Sequence, residues 1–406
     1  MEIALSNIKL ASRVTSIRVS PSTAAAQKVR DLQAEGRRIL NLTVGEPDFD
    51  TPDHIKAAAI RAMEGGETKY TSVNGTVALR KAIQHDFATR LGIDCELNEI
   101  CVGGGAKQVL FVALMATVEP GDEVIVPAPY WVSYPDMVIA NGGTPVVVPC
   151  GEEVGFKLTP EALEAAITAS TRWVILNSPS NPTGAAYSAD ELRALGQVLL
   201  RHPHVMVLCD EIYDRIWFAD FEPCSILTVL PELKPQALVV NGVSKSYAMT
   251  GWRIGYGVGP LALIDAINKL QSQMSSCPSS ISQAAAAAAL TSDQHSVDEA
   301  VAVYRQRRDR AHALINAIPG LSCRLPDGAF YLFPSCAGLI GKKTPDGRTI
   351  RNDLDFSLYL LEAAGVASVH GGAYGLEPYF RISTATSMEV IEEACAAIAR
   401  ACEALT

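Results

Sequence analysis

The chain lacks the features that mark secreted, membrane-bound or nucleic-acid-binding proteins. Its ten cysteines include no CxxC pair and no histidine spacing suited to zinc, so neither a disulfide framework nor a metal is expected. No apolar run reaches membrane-spanning length, and the segment MEIALSNIKLASRV is interrupted by polar residues where a signal peptide is apolar. Lysine and arginine form no run, and the net charge is −10. These absences predict a cytoplasmic protein with reduced thiols that binds neither nucleic acid nor a membrane.

The composition is that of a folded protein. Of the 406 residues, 48% are apolar and 19% are charged, which is too apolar for a disordered chain. This length allows two or three domains. No segment repeats with the period of a solenoid.

Short apolar runs alternate with helical stretches between about residues 98 and 260. The runs are EICV, EVIVPA, TPVVVP, RWVILNSP, VMVLCDE, ALVVNGVS and RIGYGVG. Because they are continuously apolar, they predict a mostly parallel sheet that is covered on both faces, as in α/β domains. Long helices are expected from 260 to 318, and a smaller α+β unit is expected to begin near residue 305.

Two charged residues follow predicted buried strands. Lys245 comes directly after VVNGVS. A partly desolvated lysine can form a Schiff base with a carbonyl, although a lysine in a loop can also simply extend into solvent. Asp210 ends the run VMVLCD, at the sheet edge where α/β proteins bind ligands. It suits either a helix cap or a partner for a protonated ring nitrogen.

Four further segments carry candidate functional residues. The segment GGGAKQ, residues 103 to 108, is a glycine turn before a helix, where an anion can bind, although a turn without a ligand explains it equally well. Arg253 lies in MTGWR, and Arg381 lies in the apolar run YFRIS, where a buried guanidinium needs a carboxylate or phosphate partner. The segment NSPSNPTG reads as a rigid turn.

In their order and spacing these segments resemble the fold-type I, class I aminotransferases that use pyridoxal 5′-phosphate. The resemblance covers nearly the whole chain through the blocks LTVGEPDFDTP, TKYTSVNG, APYWVSYP, NSPSNPTG, CDEIY, SKSYAMTGWRIGYGVGP and FRIS. It implies an α/β fold with a mostly parallel sheet in a large cofactor-binding domain, residues 51–304. Residues 13–50 and 305–406 would form a smaller α+β domain from both chain ends, which closes over substrate. A homodimer with shared active sites is also implied.

The resemblance gives each matching residue a role. Lys245 would carry the cofactor covalently and move a proton, and Asp210 would pair with the pyridinium nitrogen. Arg381 would clamp the substrate α-carboxylate. The other implied contacts are Asn181 and Tyr213 at the 3′ oxygen, Trp131 on the ring face, Gly105, Ala106, Lys107, Ser244, Arg253 and the neighbouring subunit's Tyr70 around the phosphate, and Asn181, Trp131 and the Gly45 backbone around the substrate.

The same resemblance favours aspartate and glutamate as amino donors, with 2-oxo acids such as 2-oxoglutarate or oxaloacetate as acceptors. In the bacterial aspartate aminotransferase subgroup, a lysine at the position of Lys107 receives the distal carboxylate. The segment RVSPST, residues 18 to 23, departs from the Lys-Pro-Ser-x-Thr segment of that subgroup, so aromatic, arginine, alanine and prephenate-type donors stay open. Arg18 could serve a prephenate-type donor. A carbon–sulfur lyase and a non-enzymatic regulator are further alternatives, but a silent scaffold would not need this complete residue set.

Overall fold

The computed structural model describes residues 8–17 and 21–406. The strands of this part are β1 (Leu40–Asn41), β2 (Ile100–Gly103), β3 (Glu123–Ala128), β4 (Thr144–Pro149), β5 (Thr171–Asn177), β6 (Met206–Asp210), β7 (Ala237–Gly242), β8 (Gly255–Val258), β9 (Tyr331–Leu332), β10 (Val366–Ala367), β11 (Val369–His370) and β12 (Phe380–Ser383). The α-helices of the same part are α1 (Ser12–Thr15), α2 (Pro21–Ala34), α3 (Asp53–Glu64), α4 (Val77–Asp86), α5 (Ala106–Thr117), α6 (Ser133–Ala140), α7 (Pro160–Ala166), α8 (Ala189–Arg201), α9 (Ile226–Val229), α10 (Leu261–Met274), α11 (Ser280–Thr291), α12 (His295–Asn316), α13 (Asp353–Tyr359) and α14 (Met388–Glu403). Helices α4 and α13 each continue into a π-helical turn, Phe87–Leu91 and Leu360–Ala364.

The seven apolar runs predicted as strands form one sheet. Its strand order is β2-β8-β7-β6-β5-β3-β4. Strand β8 is antiparallel to both of its neighbours, and the other pairings are parallel. Val239 packs into one apolar cluster and the next residue, Val240, into another, as expected for a strand covered on both faces. The predicted mostly parallel, covered sheet is therefore confirmed.

The carboxyl ends of the central strands meet at one edge of this sheet. Asn177 at the end of β5 is in register with Asp210 at the end of β6, and Asp210 is in register with Val240 of β7. Chain segments that leave these strands therefore start side by side. In open α/β sheets this edge is where ligands bind.

A second apolar core joins the two ends of the chain. Strand β1 pairs in parallel with β10, and β12 lies between β11 and β9. The core contains Leu42 together with buried residues between 311 and 405. Helix α12 passes from the sheet to this core without a break, since Val297 packs with the sheet while Ala311 and Ile315 pack with the second core. The predicted domain boundary at 304/305 falls inside this helix, and the division itself stays a prediction.

In the part of the chain described above, no helix is long and apolar enough to cross a membrane.

Candidate active site

A cavity of about 590 Å³ lies between the carboxyl edge of the large sheet and the second core. Its walls come from the loops after β6 and β7, the start of α5, the segment after β1, and strand β12. The predicted site residues that line it are Gly45, Ala106, Lys107, Trp131, Asn181, Asp210, Tyr213, Ser244, Lys245, Arg253 and Arg381. The fold thus gathers side chains that are far apart in sequence.

Lys245 lies in the loop that follows β7. Its side chain is partly buried, and its Nζ donates a hydrogen bond to the Gly45 carbonyl oxygen. Burial lowers the pKa of the Lys245 amine to about 8, while Glu46 acts in the opposite direction. At pH 7 roughly one amine in ten is therefore uncharged and nucleophilic, far more than for an exposed lysine. This lysine does not merely extend into solvent.

Asp210 holds a buried carboxylate at the end of β6. Its Oδ2 accepts a hydrogen bond from the Tyr134 hydroxyl at 2.7 Å, and its Oδ1 accepts one from the Ile212 amide at 3.3 Å. A turn rather than a helix follows, so Asp210 is not a helix cap. Burial raises the pKa of Asp210 to about 6, and the Tyr134 hydrogen bond opposes that rise. The carboxylate is consequently ionised above neutral pH.

Replacing Tyr134 by phenylalanine is expected to raise the pKa of Asp210 and to destabilise the fold mainly above pH 6. The hydroxyl stabilises only the ionised carboxylate, by about 1.5–3 kcal/mol for a hydrogen bond to a charged group. That contribution is present where Asp210 is ionised and is lost as the pH falls through its pKa of about 6. Urea unfolding at pH 8 and at pH 5 measures the difference.

The matched control for this prediction is Tyr359→Phe. The Tyr359 hydroxyl is also buried, but it donates to the uncharged carbonyl oxygen of Ala401 at 2.9 Å. Its removal should cost the same stability at both pH values. An equally pH-independent loss in Tyr134→Phe would contradict the role given to Tyr134.

The glycine turn before α5 forms the end of the cavity that suits an anion. Gly105 has a φ of 95°, which favours glycine, and a Cβ at this position would displace the Arg253 guanidinium. The Gly105 amide donates to the Gly103 carbonyl at 2.8 Å. The amides of Ala106 and Lys107, in the first turn of α5, have no acceptor within the helix. These two amides and Arg253 can therefore receive a phosphate group.

Arg381 extends from β12 into the cavity. Its side chain is buried, with Nη1 donating to Asn181 Oδ1 at 2.9 Å and Nη2 donating to the Thr43 carbonyl at 2.7 Å. Within the part of the chain that the structure describes, its Nε has no hydrogen-bond partner. The guanidinium lies 4.5 Å from the centre of the Tyr331 ring. An unpartnered N–H on a buried cation is costly, and a carboxylate ligand would satisfy it.

Lys107 and Trp131 lie together in the lining. The Lys107 Nζ is 4.8 Å from the centre of the Trp131 ring. Desolvation lowers the pKa of Lys107, and the positive charge of Arg253 lowers it further. An incoming carboxylate would relieve this repulsion.

Tyr70 and Arg18 are not part of this constellation. Tyr70 lies outside the cavity lining, between α3 and α4, and is 89% exposed. Its contact with a neighbouring subunit stays a prediction. Arg18 lies outside the residues that the structure describes, and its role with a prephenate-type donor stays a prediction.

Sequence reasoning missed several residues of the lining. Tyr134 follows Trp131 by three positions in the quoted block APYWVSYP, and this helical spacing could have indicated it. The hydroxyl of Tyr331 lies 2.9 Å from that of Tyr213, and the Thr43 carbonyl holds Arg381. No local sequence signal points to these last two residues.

The chain matches the model of the family "Aminotransferase class I and II" over residues 37–398. An aspartate aminotransferase of Rhizobium meliloti (strain 1021) is 53% identical over 98% of this chain and 97% of that protein. An aspartate/prephenate aminotransferase of Cereibacter sphaeroides is 50% identical over 98% of this chain and 99% of that protein.

Two solved structures are similar to this chain over nearly its whole length. The aspartate aminotransferase from Rhizobium meliloti has a TM-score of 0.97 and 52% identity, covering 98% of this chain and 100% of that one. The aspartate aminotransferase from Thermus thermophilus with maleate has a TM-score of 0.91 and 38% identity, covering 97% of this chain and 100% of that one.

The fold and the cavity define an enzyme of the fold-type I α/β class, and the chain belongs to the aminotransferase class I and II family. It is a transaminase. The fold class and the enzyme class expected from the sequence are both confirmed.

Proposed function

We propose that the protein is a pyridoxal 5′-phosphate-dependent aspartate aminotransferase that works as a homodimer in the cytoplasm. It would transfer the α-amino group between aspartate or glutamate and a 2-oxo acid such as 2-oxoglutarate or oxaloacetate, in two half-reactions. The observation that carries the proposal is that one cavity unites the partly buried amine of Lys245, the buried carboxylate of Asp210 and the buried guanidinium of Arg381.

The donor set of the cavity fits pyridoxal phosphate. Lys245 supplies an amine with a pKa of about 8 that can hold an aldehyde covalently. Asp210 supplies a carboxylate for a protonated ring nitrogen, and the start of α5 with Arg253 suits the phosphate. When bound, the cofactor withdraws electrons from the α-carbon of the amino acid and carries the amino group between the two half-reactions.

The residues of this chain would then bind the substrate, orient it and move its proton. Arg381, with Asn181, would hold the α-carboxylate and so fix the α-carbon in place. Lys245 would accept the α-proton as a general base and return it as a general acid, for which a pKa near working pH is best. Asp210 would stay ionised at that pH and keep the ring nitrogen protonated.

Lys107 is the residue that would bind the distal carboxylate of the substrate. It lines the cavity with a lowered pKa, next to the Trp131 ring. The names of the relatives, aspartate and aspartate/prephenate aminotransferase, support a dicarboxylic donor. Prephenate is the second candidate on the strength of those names.

Steady-state kinetics with several amino donors test the substrate. With 2-oxoglutarate as the acceptor, we expect aspartate to give a higher kcat/KM than phenylalanine, arginine or alanine as the amino donor. With aspartate as the donor, we expect 2-oxoglutarate to give a higher kcat/KM than prephenate, which is an oxo acid and can only accept the amino group. The replacement Lys107→Met should lower kcat/KM for aspartate about 10- to 100-fold, the value of one charge-assisted hydrogen bond. Alanine is the internal control, because it has no distal carboxylate and its kcat/KM should not fall.

Two results would overturn parts of the proposal. A monocarboxylic donor with a higher kcat/KM than aspartate would exclude aspartate as the preferred donor. The assignment as a transaminase would still hold. Absence of a visible absorption band after addition of pyridoxal phosphate to the purified protein would exclude pyridoxal phosphate as the cofactor.

A further inference from the structure

A buried group of charged and polar side chains lies behind the wall of the cavity. It consists of Asp86, Arg90, Asp214, Arg215 and Asn241, here called the loop clamp, and none of them lines the cavity. The four charged side chains are between 5% and 22% exposed, and Asn241 is 2% exposed. Burying charges is expensive even when they are paired, so pairing alone gives such a group little net stability.

The contacts of the loop clamp form a continuous chain. Arg90 Nη2 lies 3.0 Å from Asp86 Oδ2 and 2.7 Å from Asp214 Oδ2. Arg215 pairs with the other oxygen of Asp86. Asn241 Nδ2 donates to Asp214 Oδ2 at 2.7 Å. Each carboxylate thus has two partners, and the Asp214 oxygen is shared between an arginine and an amide.

The hydrogen bond between Asn241 and Asp214 joins strand β7, which leads to Lys245, to the loop that follows Asp210 at the end of β6. Asp214 belongs to the loop after β6, four residues beyond Asp210 and directly after Tyr213. Asn241 lies in β7, four residues before Lys245. One side-chain contact therefore links the supports of the carboxylate and the amine.

A second contact joins the loop after β6 to the loop after β7 that carries Lys245. The guanidinium of Arg215, the residue after Asp214, lies 5.5 Å from the centre of the Tyr247 ring. Tyr247 is buried and follows Lys245 by two residues. The loop after β6 is thus tied to the chain on both sides of the lysine.

Helix α4 anchors both contacts. Asp86 ends the helix, and Arg90 lies in the π-helical turn Phe87–Leu91 that follows it. A π-helical turn contains an extra residue, which changes the direction of the side chains after it, and such turns occur often at functional sites. Here the turn places the Arg90 guanidinium against the carboxylates of both Asp86 and Asp214.

We propose that the loop clamp is a positioning element that fixes the separation between Lys245 and Asp210, with Asn241 as the residue that joins β7 to the loop after β6. This inference rests on the proposed function, because both groups would hold one rigid aromatic ring. A rigid ligand held by two loops binds tightly only if their separation matches it, and errors of well under 1 Å are costly.

The replacement Asn241→Ala tests the inference in the full-length protein loaded with pyridoxal phosphate. It removes the side-chain hydrogen bond between β7 and the loop after β6 but leaves all four charges of the clamp paired. Val239→Ala is the matched control, since Val239 is fully buried, lies in the same strand and faces the same side of the sheet. The readouts are the dissociation constant for pyridoxal phosphate, the midpoint of the pH-dependent change in visible absorption, and the melting temperature.

In Asn241→Ala we expect affinity for pyridoxal phosphate to fall about tenfold and the absorption midpoint to shift by about half a pH unit. In Val239→Ala both quantities should stay at the wild-type values although the protein melts at a lower temperature. Unchanged values in Asn241→Ala, or changes in both variants that simply follow the melting temperature, would overturn the inference.

Asn241→Ser is the second variant if the alanine variant does not fold. Serine is too short to reach Asp214 but keeps an oxygen for the Gly242 amide, which donates to Asn241 Oδ1 at 2.7 Å. Failure of both variants to fold, with Val239→Ala folded, would leave the clamp a purely structural role and overturn the inference. A wild-type protein that binds no pyridoxal phosphate would instead overturn the proposed function, and with it this inference.

Discussion

Replacing Lys245 by alanine is expected to lower kcat for transamination about 10⁴-fold. The change removes both the amine that holds the cofactor and the group that moves the α-proton, and general acid–base catalysis alone contributes up to about 10⁴-fold. Among the described residues of the cavity lining Lys107 is the one other lysine, and its Nζ lies against the Trp131 ring. Oxaloacetate formation from aspartate and 2-oxoglutarate measures the loss.

Two companion variants make the Lys245 result specific. Lys269→Ala removes an exposed lysine of α10 and should leave kcat unchanged. Lys245→Arg keeps a positive charge, but its guanidinium stays protonated at the working pH and cannot act as the base, so it should be as inactive as the alanine variant. More than about 1% of wild-type kcat in Lys245→Ala would exclude the catalytic role.

Replacing Arg381 by lysine is expected to lower kcat/KM for aspartate by about 10²- to 10⁴-fold. A lysine keeps the charge but loses the planar fork that can bind a carboxylate through two hydrogen bonds, each worth about 1.5–3 kcal/mol. It would also leave Asn181 Oδ1 or the Thr43 carbonyl without its present donor. Both effects act on the α-carboxylate, so the loss should appear with every amino donor.

The control for Arg381→Lys is the affinity for pyridoxal phosphate, which should stay within a factor of about three because the Arg381 guanidinium contacts Asn181, the Thr43 carbonyl and the Tyr331 ring. Arg324→Lys provides a matched arginine replacement outside the cavity, where the side chain pairs with Asp327 at 3.3 Å. A loss of less than tenfold in kcat/KM, or a loss that appears only in cofactor affinity, would show that Arg381 does not bind the α-carboxylate.

The large sheet could be predicted from the sequence because strands that are buried on both faces are continuously apolar. All seven apolar runs are strands, and Lys245 and Asp210 could be selected because charged residues directly after such runs are unusual. Helix α14 was equally predictable, since Ser387 caps its first turn by accepting the Val390 amide and an amphipathic pattern follows.

Contacts made across long stretches of sequence could not be predicted. Tyr331 is an ordinary aromatic residue in an apolar run, and only the folded chain places its hydroxyl against Tyr213. The π-helical turn that contains Arg90 has no local signal, because its residues FATRL also suit an α-helix. The two ion pairs of Arg90 depend on this turn, so the sequence could not predict them either.

The pairing of β1 with β10 sets the order in which a newly made chain can become active. The two strands are more than three hundred residues apart, so β1 has no partner until almost the whole chain has left the ribosome. The large sheet, whose strands end at Val258, can form earlier. Thr43 and Arg381 meet only afterwards. A growing chain can therefore assemble the side of the cavity that carries Lys245 and Asp210 well before it can hold a substrate carboxylate.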